Sequence, residues 1–274
     1  MALWEVKTDG GVAVARYTNP PMNYFCRAAM AELGELIDRW RDPAVRVVIL
    51  TGGPPGQFIT HYSVEELVKL ASRKDLVRLL GPGLGHNYHD LLRRLGELAK
   101  PVIAAMSGDT MGGGLELSLA CDIRIAQAGD YRYGLPEATL GILPGGSGTQ
   151  RLSRLIGAGR AVEFIMRGRI CAPDEALALG LAHEVADDAL ARAREVGAQL
   201  AEQSPVALAE IKRAVYQGSE VHFAAGLQIE SHAFMQTLLS DEALQTMQTY
   251  VDLPHDQRRA WLERHFVPPP AKGN

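Results

Sequence analysis

The sequence predicts an α/β layered fold, and three observations carry that expectation. Strand candidates near residues 12, 47, 103 and 123 alternate with segments of helical periodicity. Two of these candidates are unbroken apolar runs, the type expected when both faces of a sheet are covered. The chain is 274 residues long and 47% hydrophobic, enough to bury a substantial core. A prior of ~150 residues per domain allows one or two domains. Composition alone does not separate a Rossmann sheet from other layered arrangements, although no Gly-x-Gly-x-x-Gly follows the first strand.

That first strand candidate covers residues 11–17, with Val12 and Val14 on one side. It ends at Asn19-Pro20-Pro21, where the prolines block further ladder bonding. Helical spacing follows in Met30, Leu33, Leu36 and Ile37. The second strand, residues 46–51, is a continuous apolar run closed by Gly52-Gly53-Pro54-Pro55-Gly56. Farther on, His86 and His89 read as part of a surface helix, because no carboxylate or cysteine set completes a metal-ligand group around them.

The third strand, residues 101–106, passes through Ser107-Gly108-Asp109-Thr110-Met111 into Gly112, Gly113 and Gly114. Residues 115–121 are rich in helix formers, so the glycines stand where a helix begins and its first N–H groups lack carbonyl partners. Glycine permits positive φ there and lets a ligand approach the main chain. Such amides hold an anion or a developing oxyanion. Glu116 follows within the first helical turn, and a second carboxylate, Glu137, comes 21 residues later beside a further glycine-rich run. Two carboxylates next to free donors point to acid–base chemistry on a carbonyl compound. The residues alone also allow plainer readings: a solvated Glu116 favoured by the helix macrodipole, and a glycine triplet that is only a loop.

The remaining composition narrows the class. A formal charge of −4 gives no reason to expect nucleic acid. Residues 1–9 are interrupted by charge and form no signal core, and no run approaches the ~20 apolar residues of a membrane span. The expectation is a soluble, unsecreted, cytoplasmic protein with no membrane partner. Cys26, Cys121 and Cys171 are few and widely spaced, and read as reduced thiols rather than a disulfide framework or a metal site. Residues 266–274, with Pro268, Pro269 and Pro270, read as a disordered tail.

Five linked motifs then make a specific resemblance. They are Lys100-Pro101-Val102-Ile103-Ala104-Ala105, Gly112-Gly113-Gly114-Leu115-Glu116-Leu117, Cys121-Asp122-Ile123-Arg124-Ile125-Ala126, Tyr133-Gly134-Leu135-Pro136-Glu137, and the run from Leu143 through Gly145, Gly146 and Gly148 to Leu152. In this order they resemble the signature region of the crotonase family, the enoyl-CoA hydratase/isomerase superfamily. Asn19-Pro20-Pro21-Met22-Asn23, Ile170-Cys171-Ala172-Pro173-Asp174-Glu175-Ala176 and Ser204-Pro205-Val206-Ala207 with Lys212 extend the match to about residues 5–215. The C-terminal part matches loosely.

The resemblance implies a spiral of repeated strand–strand–helix turns over residues 1–204. It implies a helical region over residues 205–265 that packs on a neighbouring subunit, in a homotrimer or hexamer. Two oxyanion-hole amides are implied, Tyr62 in the segment Phe58-Ile59-Thr60-His61-Tyr62-Ser63-Val64-Glu65-Glu66-Leu67, and Gly113. Glu116 and Glu137 are the implied catalytic pair for reversible hydration of a 2-enoyl-CoA to a 3-hydroxyacyl-CoA. The substrate-binding positions carried over are Tyr24, Thr60, His61, Ser63, Val64, Asp109, Pro136, Leu140 and Gly145. No metal or redox cofactor is implied, and coenzyme A enters only as part of the acyl-CoA substrate.

Departures from the family pattern cluster in one segment. Tyr62 stands where the family has Ala, His61 where it has Gly, Ser63 where it has Asp and Glu65 where a Lys is common. The residues before Asn23 lack the usual basic side chain. His61 has two readings: a residue that tolerates positive φ, or an imidazole able to titrate near neutral pH and to pair with Asp109. Arg258 and Arg259 read as solvated rather than as CoA phosphate ligands. Occupancy of both glutamate positions favours a hydratase. The alternatives are an isomerase using Glu137 alone, a C–C bond hydrolase of cyclic β-diketones involving His61, and a scaffold or RNA-binding relative that the acidic net charge opposes.

Overall fold

The computed structural model describes residues 2–264, so the tail expected at 266–274 lies outside the described residues. Among the described residues ten strands form two sheets: β1 (Trp4–Asp9), β2 (Val12–Tyr17), β3 (Val47–Gly52), β4 (Gly56–Ile59), β5 (Val102–Met106), β6 (Gly108–Met111), β7 (Ile123–Gln127), β8 (Tyr133–Gly134), β9 (Ile170–Cys171) and β10 (Glu184–Ala186). The six-stranded sheet has the order β1-β2-β3-β5-β7-β10, and the four-stranded sheet the order β4-β6-β8-β9. Only the β1–β2 hairpin and the β8–β9 pair are antiparallel.

Burial explains the continuous apolar runs. Along β3, Val47 and Ile49 face one core with Ile103, Ile125, Ala189 and Ala193, while Val48 and Leu50 face the other with Leu33, Leu92 and Leu95. Alternate side chains thus enter different cores, and every residue of β3 and β5 is buried. Helix α1 (Arg27–Arg39) buries Leu33, Leu36 and Ile37, as its spacing predicts. Then come α2 (Val64–Ala71), α3 (Lys74–Leu80), α4 (His86–Gly96), α5 (Gly113–Ser118), α6 (Gly148–Ile156), α7 (Ala158–Met166), α8 (Pro173–Ala178) and α9 (Ala189–Ala201). Each of β4 and β6 continues directly from a strand of the large sheet, which is the strand–strand–helix repeat expected.

Two elements differ from expectation. Strand β1 was not foreseen, because its only buried residue is Trp4 and the rest of this edge strand carries Glu5, Lys7 and Asp9. Helix α5 is shorter than the helix-forming run, since Leu119, Ala120 and Cys121 are buried in a turn that feeds β7.

Beyond α9 the described chain is helical: α10 (Pro205–Ser219), α11 (Phe223–Leu238), α12 (Asp241–Asp252) and α13 (Arg258–Glu263). Lys212 on α10 reaches the core, its Nζ donating to Asp122 Oδ2 at 2.8 Å and to the Lys100 carbonyl at 3.0 Å. Arg259 pairs with Glu263, and Arg258 donates to the carbonyls of Leu253 and Val251, so both are occupied within their own segment. Among the described residues no helix is long and apolar enough to cross a membrane. The three cysteines are free, with Cys121 and Cys171 buried.

Candidate active site

Strands β4, β6 and β8 run parallel, so their C-terminal ends meet on one edge of the small sheet. Three segments leave that edge together: residues 60–62 after β4, residues 112–116 after β6, and Pro136 and Glu137 after β8. A cavity of about 410 Å3 opens there, lined by Tyr62, Gly113, Glu116, Glu137, Tyr88 and the side chains of Leu67, Leu70, Leu84, Leu140 and Leu143 among others.

The two implied oxyanion donors converge on this cavity. Phe25 donates its amide to the His61 carbonyl at 2.8 Å and accepts from the Ser63 amide at 2.7 Å. In an extended chain the intervening residue points its own polar groups the opposite way, so the Tyr62 amide turns from Phe25 toward α5. Gly112 takes φ +50° as the cap of α5, and its amide donates to the Gly134 carbonyl at 2.9 Å, tying the turn to β8. Gly113 is the first helical residue, with an N–H that has no intrahelical partner. A Cβ on Gly113 would stand 3.4 Å from the Tyr62 nitrogen, which puts the two residues in contact on the wall of the cavity. Neither amide has an acceptor among the described residues. Behind them the Tyr88 hydroxyl donates to the Gly113 carbonyl at 2.6 Å.

The carboxylates occupy different electrostatic settings. Glu116 Oε1 accepts the amides of Gly146 and Gly148, each at 2.7 Å, at the start of α6. Burial raises Glu116 to about 7, and these two donors oppose the rise by favouring the ionised form. Glu137 is raised to about 7 by burial and then by the charge of Glu116. Its Oε2 is buried with no hydrogen-bond partner among the described residues. Glu116 is therefore the carboxyl with two amide donors on one oxygen, and Glu137 the one that keeps a buried oxygen without a donor.

The raised value at Glu137 predicts a pH-dependent stability. Glu137 ionises at an ordinary 4.5 when unfolded and at about 7 when folded. Below the unfolded value both states are protonated and no cost arises; between the two values the unfolded state ionises first, and stability falls as pH rises. Above the folded value the full cost, on the order of 3 kcal/mol, is present. Chemical denaturation of Glu137→Gln is expected to show a gain over the native chain that is larger near pH 8 than near pH 4, and an equal difference at both would contradict the shift.

The model of the enoyl-CoA hydratase/isomerase family matches residues 7–257 of this chain. The chain belongs to the enoyl-CoA hydratase/isomerase family. A probable enoyl-CoA hydratase of Bacillus subtilis is 35% identical over 89% of this chain and 93% of its own. A short-chain-enoyl-CoA hydratase of Clostridium acetobutylicum is 33% identical, over 90% and 94%. The crystal structure of an enoyl-CoA hydratase from Bacillus anthracis superposes with a TM-score of 0.84 at 32% identity, covering 92% of this chain and 96% of that one. The α/β architecture is thus the crotonase fold of this family.

Within this enoyl-CoA hydratase/isomerase chain, His61, Tyr62, Val64, Gly113, Glu116, Pro136, Glu137, Leu140 and Gly145 all line the cavity. Four other residues singled out in the sequence stand off it. Thr60 is buried with its hydroxyl donating to the Met22 carbonyl at 2.6 Å. Ser63 caps α2, accepting the Glu66 amide at 3.2 Å. Tyr24 lies behind His61, the two rings stacked 4.1 Å apart. Asp109 accepts the Arg132 amide at 2.9 Å. The His61–Asp109 pair does not form, because Asp109 is level with Gln57 on the neighbouring strand, four residues and roughly 13 Å before His61. His61 Nδ1–H donates instead to the Tyr62 carbonyl at 2.6 Å.

Two parts of the site went unnoticed in the sequence. Tyr88 belongs to the segment read as a plain surface helix, yet α4 turns it onto the Gly113 carbonyl, and His89 Nε2 donates to the Gly145 carbonyl at 2.7 Å. The Gly146 and Gly148 amides have no side chain to mark them. The only signal for either was a tyrosine on the apolar side of α4 and glycines ahead of a helix.

Proposed function

We propose that this enzyme adds water reversibly across the double bond of a 2-enoyl-CoA, forming a 3-hydroxyacyl-CoA. The observation that carries the reading is the convergence of two acceptor-free amides, Tyr62 and Gly113, with two buried carboxylates on one largely apolar cavity. The thioester oxygen lies between the two amides, which stabilise the enolate charge that grows as the water oxygen bonds to C3. Glu116, kept ionised by the Gly146 and Gly148 amides, takes a proton from that water. Glu137 gives its proton to C2, and the excess proton on Glu116 then returns the pair to its starting state. Opposed protonation of two neighbouring carboxylates is the arrangement this chemistry needs. Coenzyme A takes part only as the carrier of the substrate.

Purified protein with crotonyl-CoA is expected to lose the absorbance of the conjugated thioester and to accumulate 3-hydroxybutyryl-CoA. Release of free CoA, or migration of the double bond in 3-enoyl substrates with no hydration, would overturn the reading.

The same proposal includes assembly as a homotrimer or a pair of trimers through the C-terminal helices. Helices α10 to α12 expose large apolar side chains, among them Val215, Phe223, Phe234, Leu239 and Leu244, with Phe223 at 78%. Light scattering is expected to return three or six times the chain mass, and a monomer would contradict the assignment.

A further inference from the structure

A second cavity, of about 370 Å3, adjoins the first and shares Arg27, Tyr62, Leu67 and Leu70 with it. Tyr62 stands on the wall they share. Its hydroxyl donates to Glu66 Oε2 at 2.6 Å, and its ring packs T-shaped against Phe25 with centroids 6.4 Å apart. Beyond it the character of the wall changes, for the second cavity is lined by Arg27, Lys69 and Arg73 against the single carboxylate of Glu66.

None of those three cations forms an ion pair among the described residues. Glu66 is engaged elsewhere, accepting the Tyr62 hydroxyl and the Arg27 amide on Oε2. A wall of three cations and one carboxylate next to an apolar chamber recognises a molecule that is hydrocarbon at one point and anionic at the next. Tyr62 supplies the ruler. Its amide faces the position assigned to the thioester oxygen and its ring ends at the cationic space, so the anion stands one tyrosine side chain from the reacting carbonyl. Leu67 and Leu70, common to both cavities, suit the hydrocarbon between them.

Resting on the hydratase reading, we propose that the preferred substrate is a short 2-enoyl thioester whose acyl chain ends in a carboxylate, held in the second cavity by Arg27, Lys69 and Arg73. The phosphates of coenzyme A offer the same anion chemistry. The acyl end is favoured because the cationic wall opens directly off the chamber that holds the reacting carbons, through the ring of the residue whose amide binds the thioester.

The test is equilibrium binding of saturated, unreactive thioesters by calorimetry. Glutaryl-CoA and adipyl-CoA carry the terminal carboxylate; pentanoyl-CoA and hexanoyl-CoA have the same chain lengths with a methyl end. The native protein is expected to bind the carboxylate-ended pair about tenfold or more tightly, the scale of a hydrogen bond to a charged group. Lys69→Met and Arg73→Met, both at exposed positions that line only the second cavity, are each expected to remove most of that preference while leaving the methyl-ended pair unchanged. Equal weakening of both pairs would assign the cations to the CoA phosphates and overturn the proposal. No weakening of either would leave them as solvated surface charges and overturn it as well. Binding needs no chemistry, so a protein that keeps the preference but fails to hydrate the unsaturated counterparts contradicts the hydratase reading alone.

Discussion

Glu116→Gln and Glu137→Gln are each expected to lower kcat for crotonyl-CoA by about a hundred- to ten-thousand-fold, the usual contribution of a positioned general acid or base. The double variant is expected to lose little more than the worse single one, because the two groups act on one addition and do not contribute independently. Glutamine isolates the charge. At position 116 its amide oxygen can still accept from Gly146 and Gly148, so the turn ahead of α6 keeps its anchor while the base is gone. At position 137 it fills the same space beside Gly112, where a Cβ would stand 3.0 Å from Glu137 Oε1. KM is expected to change far less than kcat, since neither carboxyl carries the thioester. A large loss at 137 with none at 116 would match an isomerase that uses one carboxylate, and would remove the base from this mechanism.

Gly114→Ala is expected to reduce activity by about a hundredfold while leaving every proposed catalytic group in the sequence. A Cβ at this position would stand 2.0 Å from the Ile59 carbonyl oxygen, against an ordinary carbon contact of ~3.5 Å. Both partners are backbone, one at the start of α5 and the other at the end of β4, so no side chain can swing aside. The helix must move away from the strand, and with it Gly113 moves away from Tyr62. A misplacement of about 1 Å in a reacting geometry is worth roughly a hundredfold in rate. Overpacking of this kind also costs ~1–3 kcal/mol of stability, occasionally more. Rate assays alongside denaturant melts separate the two effects, and a variant with native kcat would show that the approach of β4 and α5 does not set the oxyanion hole.

These two predictions rest on features that differ in how far the sequence exposes them. The glycine triplet and Glu116 are legible because one short stretch holds a buried strand, a turn that only glycine makes easily and a helix start. Glu137 becomes legible through its neighbours Gly134, Leu135 and Pro136 in a recognisable motif. Tyr88 is not, because its partner Gly113 lies 25 residues away and the contact exists only once α4 has packed beside α5. The amides on Glu116 come from 30 and 32 residues downstream and carry no side-chain signature. Edge strand β1 is hidden for the opposite reason: pairing with β2 holds it, and its side chains are mostly charged. The pairing of His61 with Asp109, one of the two readings of His61, fails on register, a quantity that neither residue type announces.

The wall between the two cavities follows the same logic. In the sequence Tyr62 is a substitution whose ring needs room; in the fold its hydroxyl is held by Glu66 and its ring packs against Phe25. A side-chain change at this position therefore alters the shape of the cavity and leaves a backbone amide in place.

The central claim is tested most directly by running the reaction with crotonyl-CoA in water enriched in oxygen-18 and reading the products by mass spectrometry. The mechanism predicts 3-hydroxybutyryl-CoA carrying one heavy oxygen on C3, with the thioester intact. Heavy oxygen in a released carboxylic acid beside free CoA, or crotonyl-CoA returned unlabelled, would contradict it.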